Sequence, residues 1–458
     1  MSGRRENERL GAPVNSSREQ SRHVPLKNSA ELIAPVAGLL LLTLVLRITV
    51  IVVDGDRLHS DPDAYLRLAT MLAEGKGFTA ADGIRPTAFR PVLYPLLIAG
   101  PLALGISATV SVVFWNLLAG LLLIVAVVQL ASEFELNRTG ILVAGCMAAV
   151  DPLLIRYTTE PMTENVCAAL FAFSVVYLLR FFRSAGACDA PADLATGVKA
   201  GLLLGLSALC RPIVLISCLL LTLTMSILRW KSGDRRPTAG ARRVVWISIP
   251  AVVCTVTVSP WVIRNALQFG TLVPATTHGG YTLLLGNNSE FFDRVVSGQQ
   301  SVWDEGSLKS WQHSLQQRLN HDRIDLSDEP AVDQWMYREA RKEMSTRPLA
   351  AVRAVVLRWR RFWSLTPTAS GNSLPSWMIH AVGTCYALLG IGLLASLFRL
   401  HRNSAVLLLW MSVASFVVVH SFYWTNTRMR APLTGVLVLL AVTGWSALLH
   451  RKWEVAGR

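Results

Sequence analysis

Hydrophobic positions gather in long apolar runs that are separated by short polar or basic stretches. A helix needs about 20 apolar residues to cross a hydrocarbon core of about 30 Å. The pattern therefore predicts an all-α polytopic membrane protein. The runs lie at about 31–53, 91–107, 109–131, 139–155, 163–183, 197–210, 212–229, 244–263, 377–399, 403–422 and 431–449.

The run at 91–107 is the exception, because it is short and is interrupted by proline and glycine. Four runs, this one included, separate the predicted first outer loop from the basic loop at 180–199. If all four crossed, basic loops would lie on both sides, against the positive-inside rule. We therefore expect 91–107 to form a re-entrant or interfacial helix. About ten transmembrane helices remain, with both termini cytoplasmic.

Composition supports a membrane protein and argues against nucleic-acid binding. The 458 residues are 52% hydrophobic and only 16% charged, with a formal net charge of +14. Lys and Arg gather beside apolar runs, at 229–243, 399–402 and 450–452. This placement is typical of cytoplasmic loops that contact anionic lipid heads. The seven cysteines show no metal-ligand spacing, so neither a disulfide framework nor a structural zinc is indicated.

The topology divides the chain into five predicted regions. The predicted outer segment at 264–376 contains two stretches with helical periodicity, at 331–344 and 347–363. The second stretch combines an apolar face with arginines, as interfacial helices do. The regions are a disordered cytoplasmic N-terminus at 1–30, a transmembrane catalytic module at 31–263 with its first outer loop at 54–108, an extracytoplasmic segment at 264–376, C-terminal transmembrane helices at 377–449, and a cytoplasmic tail at 450–458.

Acidic residues follow the first apolar run in the stretch HSDPDAYLRLATMLAEGKGF, which begins at His59. Asp61 followed by Pro62 is a common start of a helix, with Asp61 as the N-cap. Asp63 would then complement the helix dipole. Capping is the simpler interpretation, yet it is compatible with catalysis, because backbone N–H groups keep a capping carboxylate ionised.

A second pair of acids, Glu160 and Glu164, lies four residues apart at the predicted outer end of a span. Such residues share one helical face, and acids at this depth are costly unless they line a wet cavity. Glu160 precedes Pro161 and also fits an exposed helix start. Glu164 is expected to lie deeper, which favours a functional role.

Arginines are numerous on the predicted outer face, where the positive-inside rule disfavours them. Each one alone is typical of a side chain that extends to the membrane interface. Together, converging guanidinium groups suit a phosphate, which they grip in pairs of hydrogen bonds. With the acids, they predict group transfer from a lipid-phosphate donor. They are Arg85, Arg90, Arg211, Arg264, Arg428 and Arg430.

In order and spacing, several short motifs resemble those of the GT-C superfamily of membrane glycosyltransferases. The similarity is greatest to bacterial relatives of protein O-mannosyltransferases and of the lipid A aminoarabinose transferase. The motifs are SDPDAYLRLATMLAEGKGF, RPVLYPLLIAG, TEPMTEN, LCRP, PWVIRN and RMRAP. The resemblance covers about 32–449.

The resemblance implies an inverting transferase in the bacterial inner membrane that uses a polyprenyl-phosphate-linked sugar. Its catalytic base corresponds to Asp61. The family's usual neighbouring acid is replaced by Pro62, and Asp63 either substitutes for that second acid or takes no part. The family's second outer-loop acid corresponds to Glu160 or Glu164, and its phosphate-binding residues to the late arginines. No cofactor is expected to be required, and a role for a divalent cation stays open.

The full expectation assigns a role to each candidate and leaves the acceptor unknown, as a lipid, glycan or protein. Asp61 accepts the proton of the attacking hydroxyl or amine, and Glu164 orients the acceptor or the partner of Asp61. The arginines, Arg264, Arg428 and Arg430 first among them, hold the leaving phosphate. The substrate groove is expected to include Tyr65, Tyr94, Asn265 and His278. The alternatives are a transporter or flippase for a lipid-linked substrate, which needs polar residues in mid-membrane, and a non-catalytic scaffold.

Overall fold

The computed structural model describes residues 29–184, 193–231, 246–300, 303–366, 375–400 and 403–456. These residues form helices joined by loops, with one isolated antiparallel bridge between Thr79 and Pro86. The predicted all-α polytopic class is confirmed. The disorder predicted for the N-terminus falls almost wholly outside the described residues.

The described residues contain 17 α-helices, several of which differ from the predicted runs by a few residues. The last one continues seven residues past the predicted end at 449. The helices are α1 Ser29–Asp54, α2 Tyr65–Ala73, α3 Leu93–Ala103, α4 Ala108–Glu133, α5 Arg138–Ala149, α6 Pro152–Arg156, α7 Glu164–Ser184, α8 Leu194–Cys210, α9 Ile213–Lys231, α10 Ile249–Phe269, α11 Gly279–Leu285, α12 Glu305–His321, α13 Glu329–Thr346, α14 Pro348–Phe362, α15 Ser376–Ser396, α16 Ser404–His420 and α17 Thr434–Ala456.

Seven of the described helices are long and apolar enough to cross a membrane, and four shorter apolar helices accompany them. Ion pairs sort the helix ends into two groups. Glu133 at the end of α4 pairs with Arg180 and Arg183 at the end of α7, both at 2.7 Å. At the other end, Glu164 at the start of α7 pairs with Arg211 after α8 at 2.8 Å. The count of ten crossings stays a prediction.

Helix α3 is the predicted re-entrant segment. Its 11 residues extend about 16 Å, half of a hydrocarbon core. The indole of Trp115 donates to the Leu97 carbonyl at 2.7 Å, and the Tyr94 hydroxyl lies 3.5 Å from the Asn116 side chain. Both contacts are in the first third of α4, so α3 lies against one end of α4.

Cysteine labelling tests the interpretation of α3. We expect Lys76→Cys and Ile106→Cys, before and after α3, to react with an impermeant maleimide from the same side of sealed vesicles. Thr139→Cys, beyond α4, should react only from the other side. Each is introduced into a variant whose native cysteines are replaced, which itself serves as the unlabelled control. Opposite accessibility of Lys76→Cys and Ile106→Cys would mean that α3 crosses the bilayer.

The run predicted as one helix over 139–155 is broken. The α5 helix ends at Ala149, and Asp151 caps α6 by accepting the Leu154 N–H at 2.9 Å. Arg47 of α1 binds α6 and the chain that follows it. Its guanidinium donates to the Leu154 carbonyl at 3.1 Å, to Thr158 at 2.6 Å and to Asn165 at 2.8 Å. These bonds fix the chain that leads into Glu160 and Glu164.

The outer segment packs around its own aromatic cluster, and α14 presents the predicted apolar face to the surroundings. Four of its apolar side chains are exposed, as a helix in contact with lipid requires. They are Leu349, Val352, Val356 and Trp359. On the opposite face Arg358 is buried and donates to the Ser421 carbonyl at 2.7 Å and to Asn287 at 2.8 Å. This arginine ties the outer segment to the loop that carries Arg428.

Candidate active site

Asp61 caps α2, but not in the predicted way. The helix begins at Tyr65 rather than Pro62, because residues 61–64 form a turn in which Ala64 has a φ of 61°. The Asp61 carboxylate accepts the N–H groups of Leu66 at 3.0 Å and Arg67 at 2.9 Å. The predicted helix start is therefore wrong, while the capping role of Asp61 is present.

The same turn directs Asp63 into a network of ion pairs. One carboxylate oxygen lies 2.6 Å from the Arg90 guanidinium, and the other lies 2.8 Å from that of Arg428. Arg90 also donates to the Asp63 carbonyl at 2.9 Å. Burial raises the pKa of Asp63, and Arg428 and Arg90 outweigh it and hold the pKa below its usual value. Asp63 is therefore an ionised, doubly paired carboxylate.

Glu164 completes the network from the first residue of α7. Its side chain is fully buried, and one oxygen accepts from Arg211 at 2.8 Å and from Arg428. The second oxygen, Oε2, is buried without a hydrogen-bond partner. Arg428 thus bridges two acids, Asp63 and Glu164, that lie about 100 residues apart in the sequence.

Glu160 lies at the rim of this network. Its carboxylate is 3.5 Å from Arg57 and 3.3 Å from Arg156, with no direct contact to Arg428 among the ion pairs. Burial raises the pKa of Glu160 above its usual value, although these arginines oppose the shift. Of the two candidate acids, Glu164 is the one that meets Arg428.

His278 stands beside the network within an aromatic wall. Its ring stacks on Tyr281 at 5.0 Å and lies 4.2 Å from Phe89. Burial, and next the charge of Arg90, lower the pKa of His278 to about 3, so the imidazole is neutral at pH 7. Its Nδ1 atom is buried without a hydrogen-bond partner. Two other predicted groove residues, Tyr65 and Tyr94, are buried and pack edge to face at 5.5 Å.

Four further predicted residues, beyond those already described, lie outside the network. Arg264 is inside α10 and donates to the carbonyls of Thr87 at 2.8 Å and Phe78 at 2.7 Å. Asn265 donates to the Val273 carbonyl at 3.2 Å. These two side chains hold loops in place.

Arg85 and Arg430 are the other two. Arg85 is exposed and pairs with Asp82 at 2.5 Å. Arg430 is buried, donates to the Phe362 carbonyl at 3.0 Å and lies over the Tyr386 ring at 4.1 Å. Neither shares an ion pair with Asp63 or Glu164 among the described residues.

Comparison with solved structures identifies the fold. The archaeal oligosaccharyltransferase AglB from Archaeoglobus fulgidus, in complex with an inhibitory peptide and a dolichol-phosphate, aligns over 93% of this chain and 52% of its own, with a TM-score of 0.54 and 14% identity. The same enzyme in complex with Zn and sulfate aligns over 91% and 49%, with a TM-score of 0.53 and 14% identity. Over about nine-tenths of its length, the chain therefore shares the fold of these oligosaccharyltransferase structures.

The chain spans about half the length of these oligosaccharyltransferase structures. ArnT from Cupriavidus metallidurans bound to undecaprenyl phosphate aligns over 91% of this chain and 78% of its own, with a TM-score of 0.40 and 13% identity. No protein-family model and no curated protein sequence matches the chain.

A narrow apolar cleft is lined by the prolines that follow two of the network arginines in the sequence. Pro91 follows Arg90 and Pro212 follows Arg211, and both prolines line this cleft. The remaining wall comes from Val92, just before α3, and from α8, α9, α10 and the loop after α10. It includes Val92, Ala208, Leu209, Leu215, Val258, Trp261, Pro274 and Ala275. A cationic patch beside an apolar cleft suits a ligand with a phosphate head and a hydrocarbon tail.

The acids of the network are held by arginine. Asp63 and Glu164 both contact Arg428, and no group of three or more His, Cys, Asp or Glu side chains suited to a metal ion occurs among the residues that the structure describes. The chemistry available from this chain's own side chains is proton acceptance by a carboxylate and charge stabilisation by guanidinium groups.

Proposed function

We propose that this protein is a membrane glycosyltransferase that moves a sugar from a polyprenyl-phosphate donor to an acceptor hydroxyl or amine. The observation that carries the proposal is the bridge that Arg428 makes between Asp63 and Glu164. It combines a candidate proton acceptor and a phosphate-binding group in one buried site, on a fold found in an oligosaccharyltransferase bound to dolichol-phosphate.

The donor is bound through both of its parts. Its phosphate contacts Arg90, Arg211 and Arg428, since guanidinium forks suit phosphate oxygens. The first units of the polyprenyl tail contact the apolar surface that Pro91 and Pro212 line. Membrane lipids surround the rest of the tail.

The reaction is a single displacement with inversion. An acceptor oxygen or nitrogen attacks the anomeric carbon, and the bond from that carbon to the phosphate oxygen breaks with its electron pair going to the phosphate. The acceptor's proton passes to the Asp63 carboxylate. Polyprenyl phosphate leaves while held by the arginines, an electrostatic contribution of the kind that is often the largest in catalysis.

The charges of the site balance at each stage. Three guanidinium groups and two carboxylates leave one positive charge, which matches a singly charged phosphodiester donor. After transfer, the departing phosphate carries one more negative charge, and protonated Asp63 carries one fewer. No charge is left uncompensated in a buried site, where this would be costly.

Two unpaired atoms are available to orient the acceptor. Glu164 Oε2 and His278 Nδ1 are both buried without hydrogen-bond partners, and each can accept a hydrogen bond from a hydroxyl or amine. The aromatic wall of Phe89 and Tyr281 offers flat apolar faces to a sugar ring. The acceptor class stays open among lipid, glycan and protein.

The proposed setting is the bacterial inner membrane, with both termini cytoplasmic and the site on the outer face. Arg229 and Lys231 support this orientation, because they lie at the end of α9 that is remote from Arg211 and Glu164.

The test is transfer of a labelled sugar by purified protein in proteoliposomes, from a panel of synthetic polyprenyl-phosphate sugars. Mass spectrometry of lipids and glycans from cells with and without the protein selects the panel. We expect a product in which the labelled sugar is attached with inverted anomeric configuration. Flipping of the labelled lipid without any transfer product would overturn the proposal in favour of a transporter.

A further inference from the structure

We propose that Glu329, at the start of α13, is a positioning residue that fixes the two arms of the active site. One arm is the stretch from Thr87 to Arg90, and the other runs from Thr277 to His278. The catalytic consequence rests on the proposed function, while the structural role stands on contacts alone. Sequence gives no signal for it, since an acid in the first helical turn is ordinary dipole chemistry.

Glu329 accepts three hydrogen bonds from outside its own helix. One oxygen accepts from the Thr87 hydroxyl at 2.5 Å, and the other from the Ala88 N–H at 3.0 Å and the Thr277 hydroxyl at 2.7 Å. A direct bond from the Thr277 N–H to the Ala88 carbonyl at 2.9 Å closes the contact between the arms. A single carboxylate therefore joins segments that are about 190 residues apart.

The hydrogen bonds of Glu329 to the two arms are called the clamp below. On each arm, a side chain of the active site follows the clamp within two residues. Two residues past Ala88, Arg90 pairs with Asp63 at 2.6 Å. One residue past Thr277, the ring of His278 packs against Phe89 at 4.2 Å. A loose clamp would let Arg90 and His278 drift, and displacements of about 1 Å in a catalytic site cost up to about 10²-fold in rate.

Arg264 also contacts the first arm. Its guanidinium donates to the Thr87 carbonyl at 2.8 Å. Thr87 is thus held by its hydroxyl and by its carbonyl. Of the two side chains that hold Thr87, Glu329 is the one that also contacts the second arm, where it accepts from the Thr277 hydroxyl.

Hydrogen exchange tests the clamp without any knowledge of the substrate. We compare purified wild type, Glu329→Ala, Glu329→Gln and the control Glu343→Ala, from the same helix. Glu329→Ala should accelerate exchange by about tenfold or more in peptides covering 87–92 and 276–281, and leave the rest of α13 unchanged. Glu329→Gln should give a smaller acceleration, because its amide oxygen still accepts the Ala88 N–H.

The outcomes separate cleanly. Wild-type exchange in both peptides of Glu329→Ala would overturn the proposal. If that variant fails to fold, Glu329→Gln decides: acceleration confined to the two peptides supports the clamp, and wild-type exchange throughout overturns it. Glu343→Ala should match wild type, and acceleration of the same peptides there would show a general effect of α13 and overturn the assignment.

A second readout addresses the consequence for the site. We expect Glu329→Ala to weaken binding of a short-chain polyprenyl phosphate by about tenfold, and Arg90→Ala with Glu329→Ala to bind no more weakly than Arg90→Ala alone. Additive losses would mean that Glu329 does not act through Arg90, and would overturn the positioning role. If wild type binds no polyprenyl phosphate, the proposed donor fails while the exchange result still judges the clamp.

Discussion

Arg428→Ala is expected to lower the rate of transfer by about 10²–10³-fold and to destabilise the protein. Arg428 contacts Asp63 at 2.8 Å and Glu164, and its side chain is only 19% exposed. Without it, two carboxylates face each other across a buried gap. Removal of one partner from a buried charge pair costs about 3–5 kcal/mol when the remaining charge is uncompensated. We expect a smaller loss here, because Arg90 still pairs with Asp63 and Arg211 with Glu164.

The loss of transfer has a separate cause. In the proposed mechanism Arg428 stabilises the charge on the departing phosphate. Loss of one preorganised donor of this kind lowers kcat by about 10²–10³. We expect Arg428→Lys to restore most of the stability but little of the activity, because an ammonium supplies the charge without the fork that spans two partners.

Turnover and the detergent melting temperature are measured on the same preparations. Arg353→Ala, in which an exposed arginine of α14 is removed, controls for general loss of positive charge and should match wild type. Adding Glu164→Gln to Arg428→Ala should recover stability without recovering transfer. Near-normal transfer by Arg428→Ala would contradict its role at the phosphate.

The outline of the fold could be predicted from sequence because the membrane sets a length scale. The same scale marks 91–107 as too short and broken, and α3 lies against one end of α4. That α3 is re-entrant stays a prediction. The break between α5 and α6 was not predictable, since Asp151 with Pro152 starts a helix inside an otherwise apolar run. Helix starts are local, but their place along a span depends on what packs around them.

The types of residue in the site, acids and arginines, could be predicted from the sequence. Which individual acids and arginines meet could be predicted less well. Arginines on the outer face were singled out for their number, and three of them meet the acids. Arg264 was predicted to lie on the same outer face as these three arginines. Its guanidinium instead donates to the carbonyls of Phe78 and Thr87. Whether an arginine meets a carbonyl or a carboxylate is decided by tertiary contacts between distant segments, which periodicity and charge bias do not carry.

The two aspartates of the first outer loop illustrate the same limit. The resemblance to a known family implies that Asp61 is the catalytic base. The preferences of residues at helix starts predict instead that Asp61 caps a helix. The structure has the Asp61 carboxylate bonded to the N–H groups of Leu66 and Arg67. One left-handed residue, Ala64, turns the chain so that Asp63 meets Arg90 and Arg428. No sequence rule predicts a positive φ at an alanine.

Asp63→Asn and Asp61→Asn are expected to differ sharply in transfer. Asp63→Asn removes the proposed proton acceptor and should lower kcat by about 10²–10⁴. Asp61→Asn should lower kcat by no more than about tenfold, because its amide oxygen still accepts one of the two backbone N–H groups that Asp61 caps. Both variants lose one negative charge from the same turn, so each controls for the other. The reverse ranking would assign the base to Asp61.

The pH dependence provides an independent check on Asp63. Its pKa in the donor-free protein lies below the usual 3.8. The stability it contributes is therefore complete above the usual value and is lost only as the pH falls through the lowered one. We expect wild type to lose this contribution below about pH 4, and Asp63→Asn to lack that loss.

Donor binding should move this pKa upward. The donor phosphate shares Arg428 with Asp63, so the carboxylate loses part of the interaction that keeps it ionised. The acid limb of kcat/KM reports the free enzyme, and that of kcat reports the donor complex. We therefore expect the limb of kcat to lie at higher pH than that of kcat/KM, and the two to converge in Arg428→Lys. Coincident limbs in wild type would mean that the group accepting the proton is not one that Arg428 holds.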